Sequence, residues 1–397
     1  MLSYNQKAFF ELVRAGLFPI GEVEMVNDSL FMDVDWSKVY QLAQEQSVQG
    51  LTLQGIERLK THNLNYNAND GMNNSMPQAN IIIPQKLLLQ WVGEMQIIEQ
   101  RNKAMNQFIA DLILKMREAG IYTLMVKGQE IAQCYEKPLW RACGDVDLLL
   151  SHDEYDKAKA FLQPLARTVE TEGVYQKHLG LIIDSWVVEL HGSLRTGLSS
   201  KVDCMIDETQ ETIFHGGQVR SWKNGKVQVF LPNADNDLVF IFTHFLKHFY
   251  KGGLGLRQIC DWCRLLWTFR DSLDYELLET RIQKMGLMTE WKAFGAFAVD
   301  YLGMPSVAMP FYSDDKKWSR KGNKICAFVI EVGNFGHNRD NSYYAKYPFL
   351  IRKIYSFGRR CGDLFRHARI FPLDSLRFFP YMMYNGLKAA LNGVRNN

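Results

Sequence analysis

Residues 121–150 constrain the fold of this chain more than any other stretch. Ile121-Tyr122-Thr123-Leu124-Met125-Val126 is a short β-prone run that ends in Lys127-Gly128; Gln129 to Tyr135 suit a helix, and Asp145-Val146-Asp147-Leu148-Leu149-Leu150 reads as a second strand. Side chains two apart in a strand share a face, so Asp145 and Asp147 present two carboxylates side by side while the leucines carry the strand into a core. Two anions that close repel unless a cation sits between them, so the pair reads as half of a metal site. Gly128 lets backbone N–H groups approach an anion, and the helix start after it favours phosphate.

A third carboxylate is expected on another strand. Leu181-Ile182-Ile183, the turn Asp184-Ser185 and Trp186-Val187-Val188-Glu189-Leu190-His191 read as a β-hairpin with Glu189 and His191 on one face. Asp145, Asp147 and Glu189 together suit two Mg²⁺ ions, with a nucleotide's phosphates completing the shells. His191 is placed to orient the Glu189 carboxylate, or simply to pack beside it.

The order Lys127-Gly128, Ala132, Tyr135, Pro138, Arg141, Gly144-Asp145-Val146-Asp147-Leu148-Leu149, then Val188-Glu189-Leu190-His191, resembles the uncharacterised bacterial nucleotidyltransferases of the DNA polymerase β-like superfamily. It is more distantly similar to abortive-infection nucleotidyltransferase toxins, and the matching motifs cover about residues 120–265. The resemblance implies metal ligation by Asp145, Asp147 and Glu189, a triphosphate at the Gly128 turn, and Lys127 and Arg141 as cations near it, arginine offering a planar fork for phosphate oxygens. The implied reaction moves an NMP from an NTP, ATP among them, to an acceptor hydroxyl and releases pyrophosphate. The superfamily usually has Gly-Ser or Gly-Gly at the turn, whereas this chain has Gly128-Gln129 and lacks that hydroxyl. A second reading therefore stays open, a catalytically silent nucleotide-binding regulatory or interaction protein; a third is a toxin-like transferase acting on tRNA or protein. The motif does not specify whether the acceptor is a small molecule, RNA or protein, because that choice lies in pocket shape.

The 397 residues, 47% hydrophobic and 22% charged, are enough for two or three cores and too apolar for disorder. We expect an α+β protein, a small mixed β-sheet nucleotidyltransferase core flanked by N-terminal and C-terminal helical regions. The expected divisions are 1–83, helical with an Asn-rich loop at 62–80; 84–232, the core; 233–335, a helical domain; and 336–397, a basic aromatic helical segment. Short helices, including Trp36 to Leu59, fill the first. From Gln85 to Glu118, Leu88, Val92, Met95, Ile98, Met105, Ile109, Leu112 and Met116 recur every three or four residues, predicting a long amphipathic helix that Gly120 stops. Gln218 to Ser221 and Lys226 to Leu231 predict two further strands.

Met1 to Lys7 lacks the order of a signal peptide and no run of about 18 apolar residues appears, so the reading is a soluble cytoplasmic protein. Seven cysteines without framework spacing fit a reducing compartment, and Cys260-Asp261-Trp262-Cys263 is read as helix packing. His244 and His248 lie four apart on a predicted helix, with Arg257 and Asp261 at the same spacing on the next, read first as an ion pair; the resemblance implies a helical region packed on the catalytic domain, where these residues contact the nucleotide or join the domains. The net charge of +3 argues for no nucleic-acid field overall, yet residues 351–397 hold nine Lys or Arg against two Asp. There Arg352, Lys353, Arg359, Arg360, Arg366 and Arg369 interleave with Tyr355, Phe357, Phe365, Phe371, Phe378, Phe379 and Tyr381. That pattern fits a helical cap first, and contact with nucleic acid or a membrane surface second.

Overall fold

The computed structural model describes residues 2–19, 28–69, 81–173, 177–251, 253–334 and 347–395, so the Asn-rich residues 70–80 lie outside it. Its strands are β1 (Leu124–Val126), β2 (Asp145–Leu149), β3 (Thr168–Val169), β4 (His178–Ile183), β5 (Trp186–His191), β6 (Val219–Asn224) and β7 (Val227–Pro232). The helices of the first half are α1 (Tyr4–Leu17), α2 (Trp36–Glu45), α3 (Gln49–Asn69), α4 (Gln85–Glu118), α5 (Gly128–Ala132), α6 (His152–Leu162) and α7 (Ser200–Phe214). Those of the second half are α8 (Ala234–Lys251), α9 (Leu256–Phe269), α10 (Tyr275–Met285), α11 (Met288–Leu302), α12 (Lys316–Val332), α13 (Phe349–Ala368) and α14 (Pro372–Arg395). The class is α+β: a five-stranded mixed sheet in the order β1-β2-β5-β4-β3, with β6 and β7 as a separate ribbon.

The sheet's register follows from its turns. Asp184 takes a φ of 55°, and the two-residue turn sets Ile183 opposite Trp186, which carries His178 opposite His191 and Gly180 opposite Glu189. β2 and β5 pair in parallel with Asp147 directly beside Glu189. Alternation then divides the two faces. Val146, Leu148, Leu150, Val188, Leu190, Leu179 and Leu181 join Met105, Ile109 and Leu112 of α4 and Tyr155 and Leu162 of α6 in one buried cluster. Asp145, Asp147, Glu189 and His191 are left to the opposite face, toward α8.

Several helices differ from expectation. Ser47, at a φ of 55°, breaks the helix expected over Trp36 to Leu59 into α2 and α3, and α3 then continues to Asn69 through residues expected as loop. In α4 the buried position is Trp91, while Val92 is 38% exposed. The indole explains the choice: it packs on Tyr40 and donates from Nε1 to the Gln49 carbonyl at 3.1 Å. α1 and α3 cross at glycines, where a Cβ on Gly55 would stand 1.9 Å from the Leu12 oxygen.

A larger apolar cluster gathers helices from both ends of the chain, with Phe10 of α1 against Phe297 and Tyr301 of α11, and Phe371 and Phe378 against Phe249 and Tyr250 of α8. Cys260 and Cys263 are buried in it. The expected aromatic cap at 351–397 is thus split, since Phe371 and Phe378 are core and Tyr355, Phe357 and Phe365 are exposed. The side chains of Arg352 and Lys353 lie outside the described residues. Among the described residues no helix is long and apolar enough to cross a membrane.

Candidate active site

The polar face of the sheet forms one wall of a cleft of about 360 Å³, and α8 and α9 form the other. On the sheet wall Asp147 is 2% exposed and its Oδ1 accepts from Lys127 Nζ at 2.8 Å. His191 Nε2 lies 2.7 Å from the same oxygen and 3.4 Å from Glu189 Oε2, and His178 Nε2 lies 3.1 Å from that Glu189 oxygen.

These contacts divide the three carboxylates electrostatically. Burial works against ionisation of Asp147, but Lys127 and the His191 hydrogen bond outweigh it and hold the carboxyl below its ordinary range. Burial is likewise outweighed at Glu189, by hydrogen bonds from His178 and His191, and its carboxyl is held well below the usual value. Asp145 goes the other way: the charge of Asp147, then burial and Glu189, push it up to about 6. Lys127 stays charged despite burial because Asp147 and Glu189 face it. One ammonium among three carboxylates leaves an excess of negative charge, and their hard oxygens suit a divalent cation such as Mg²⁺, so the donor set fits the metal that the resemblance implies.

The Lys127-Gly128 turn is tight. Lys127 has φ 60° and ψ −156°, and Gly128 has φ 47°. A Cβ at Gly128 would meet Cys143 Sγ at 3.2 Å and the Asp145 carbonyl at 3.3 Å, so the turn lies flush against the start of β2. A strained non-glycine residue beside a carboxylate cluster is typical of functional turns. The following helix, α5, has five residues, so its dipole is weaker than the sequence suggested and the backbone and Lys127 carry more of any anion contact. Gln129 does not face the cleft; it is fully buried and donates from Nε2 to Asn102 Oδ1 at 2.8 Å. Glu130, also buried, accepts from Arg220 Nη2 at 2.6 Å, and Arg220 bonds Asp237 of α8 as well.

On the helical wall stand His244, Lys247 and His248 of α8 and Arg257 and Asp261 of α9. The ion pair expected between Arg257 and Asp261 is replaced by another. Asp261 binds the fork of Arg141, with Nε to Oδ1 at 2.7 Å and Nη2 to Oδ2 at 2.6 Å, and also accepts from Tyr135 at 2.7 Å. The fork expected to grip phosphate is thus occupied within the protein, and Arg141 joins the loop before β2 to α9. Arg257 donates instead to the Ala142 carbonyl at 2.6 Å, and its buried Nε has no partner among the described residues. Lys247 has no carboxylate within ion-pair distance among the described residues, and burial followed by the charge of Lys127 lowers its pKa. His244 and His248 sit with Nε2 atoms 3.1 Å apart, and burial keeps both neutral, His248 down to about 3.

Sequence reasoning missed His178 and Lys247, and did not foresee the Arg257 contact with the Ala142 carbonyl. His178 was within reach: counting six residues back from the Asp184-Ser185 turn lands opposite His191. The other two depend on how α8 and α9 fold over the sheet, which local pattern does not encode. Among the described residues, His178, Glu189 and His191 have donor atoms within 4.8 Å of one another, a set whose donor types can hold a metal ion.

Comparison with protein families gives a match over residues 32–303 to a family described as an uncharacterised nucleotidyltransferase. No curated protein and no solved structure matches.

Proposed function

Because the chain belongs to the uncharacterised nucleotidyltransferase family, we propose that it transfers an NMP from an NTP to an acceptor hydroxyl in the cleft between the sheet and α8. The acceptor oxygen bonds to the α-phosphorus, the bond from that phosphorus to the bridging oxygen breaks, and pyrophosphate leaves. Asp145, Asp147 and Glu189 hold the divalent cations. When bound, such cations supply positive charge at the α-phosphate and make the acceptor hydroxyl more acidic. Glu189, kept ionised by His178 and His191, would assist loss of the hydroxyl proton through the cation it holds, by keeping negative charge beside it. Lys127 and the Gly128 backbone meet the phosphates from the sheet side, while Lys247 and Arg257 meet them from the helical side. Arg141 acts through Asp261, keeping the loop before β2 in place.

The observation that carries this reading is the register of Asp147 beside Glu189, with Asp145 on the same face, opposite a wall where Lys247 and Arg257 have no carboxylate at ion-pair distance among the described residues. Gln129, the reason for considering a silent protein, is turned into the core and does not obstruct the cleft, leaving the Gly128 backbone and Lys127 to meet phosphate without the usual hydroxyl. The test is incubation with each α-labelled NTP, Mg²⁺ and cell extract. Label should pass to an acceptor with the wild type and not with Asp147→Asn; equal labelling by Asp147→Asn refutes the assignment.

A further inference from the structure

We infer that His178, Glu189 and His191 bind a first-row transition-metal dication of the zinc type at a position beside the Asp145–Asp147 pair, with Glu189 shared between the two. The inference rests on the proposed transferase reading for the use made of the metal, and on geometry for the site itself. Both imidazole Nε2 atoms converge on one oxygen, Glu189 Oε2, at 3.1 Å from His178 and 3.4 Å from His191. Zinc-to-nitrogen bonds of roughly 2.0–2.1 Å place neighbouring ligands roughly 3–3.5 Å apart. Both histidine-to-Glu189 distances already have that spacing and all three donors lie within 4.8 Å of one another, on two adjacent antiparallel strands whose register sets His178 against His191.

The donor types select the metal class. Mg²⁺ prefers an all-oxygen shell, whereas imidazole nitrogens favour Zn²⁺ and its first-row neighbours. Three protein ligands leave a position open to the cleft, as in catalytic rather than structural zinc centres. His178 is 29% exposed at the cleft, so an ion has a way in, and His191 is nearly buried. His191 Nε2 lies 2.7 Å from Asp147 Oδ1 in the metal-free protein, a hydrogen bond that zinc ligation by that nitrogen would replace. The centre is therefore unequal, hard oxygens on one side and a nitrogen-rich set on the other, meeting at Glu189.

The test is calorimetric titration of the full-length protein with Zn²⁺, and with Mg²⁺ for comparison, on wild type, His178→Ala, His178→Gln and Asp145→Asn. Thermal melts of each metal-free variant check the fold, and Co²⁺ loading gives visible absorbance bands that report nitrogen ligation. We expect the wild type to bind Zn²⁺ more tightly than Mg²⁺, both His178 variants to bind Zn²⁺ weaker by about tenfold or more and lose the Co²⁺ bands, and Asp145→Asn to keep them. Unchanged Zn²⁺ affinity in both His178 variants, or no Zn²⁺ bound by the wild type, overturns the site. Zinc binding that depends on His178 in a protein that transfers no nucleotide upholds the site and removes the transferase reading. Transfer that persists in a protein with no zinc affinity does the reverse.

Discussion

Replacing Asp145 with Asn should stabilise the metal-free protein at neutral pH. The Asp145 carboxyl is raised from an ordinary 3.8 to about 6, first by the charge of Asp147, then by burial and Glu189. A raised acid favours the folded state fully only below its unfolded value, and that advantage is lost as pH climbs through about 6, where the folded group ionises against its neighbours. At about 1.4 kcal/mol per pH unit, the ionised side chain costs about 3 kcal/mol at pH 8 and about half of that at pH 5. The neutral amide avoids this cost. With an unfolding entropy on the order of 2 cal/mol/K per residue, a chain of this length gains about 3–4 °C in Tm. The assay is thermal melting by circular dichroism in EDTA at pH 5 and pH 8. The variant should gain more at pH 8, and added Mg²⁺ should narrow the gap by raising the wild type. A variant that melts at or below the wild-type temperature at pH 8 refutes the claim that the cluster carries unbalanced negative charge.

Asp261→Asn strips the charge partner from buried Arg141 and should cost about 3–5 kcal/mol in urea unfolding; a loss under about 1 kcal/mol would show that this pair does not hold α9 to the loop before β2. Arg257→Gln should weaken NTP binding about tenfold or more in equilibrium titration while leaving Tm nearly unchanged, and unaltered affinity removes Arg257 from the phosphate contacts. Gly55→Ala should cost about 1–3 kcal/mol, because the new methyl meets the Leu12 carbonyl and forces α1 from α3. An unchanged melting curve contradicts that crossing.

The sheet was legible because its information is local. The period of two in Asp145-Val146-Asp147-Leu148 states which side chains share a face, and the two-residue turn at Asp184-Ser185 sets the register that brings Glu189 beside Asp147 once β5 joins β2. Arg141 and Asp261 lie 120 residues apart, and nothing within either segment marks the other as its partner. The i, i+4 spacing of Arg257 and Asp261 suggested a pair within one helix, but a bidentate grip from Arg141 satisfies both oxygens of Asp261 and leaves Arg257 to the Ala142 carbonyl. Lys247 was equally silent, because a lysine on an amphipathic helix acquires meaning only once the opposing surface is known.

α8 is fastened at both of its ends. Near its start Asp237 shares Arg220 with Glu130 of the turn-bearing helix, and at its last residue Lys251 donates to the Thr196 carbonyl beyond β5. A jaw bolted at two points is braced against swinging, which favours a cleft shaped before any guest arrives. Guest selection then leans on fit to the braced cleft, and variants that loosen either bolt should broaden the range of molecules admitted before they slow the chemistry.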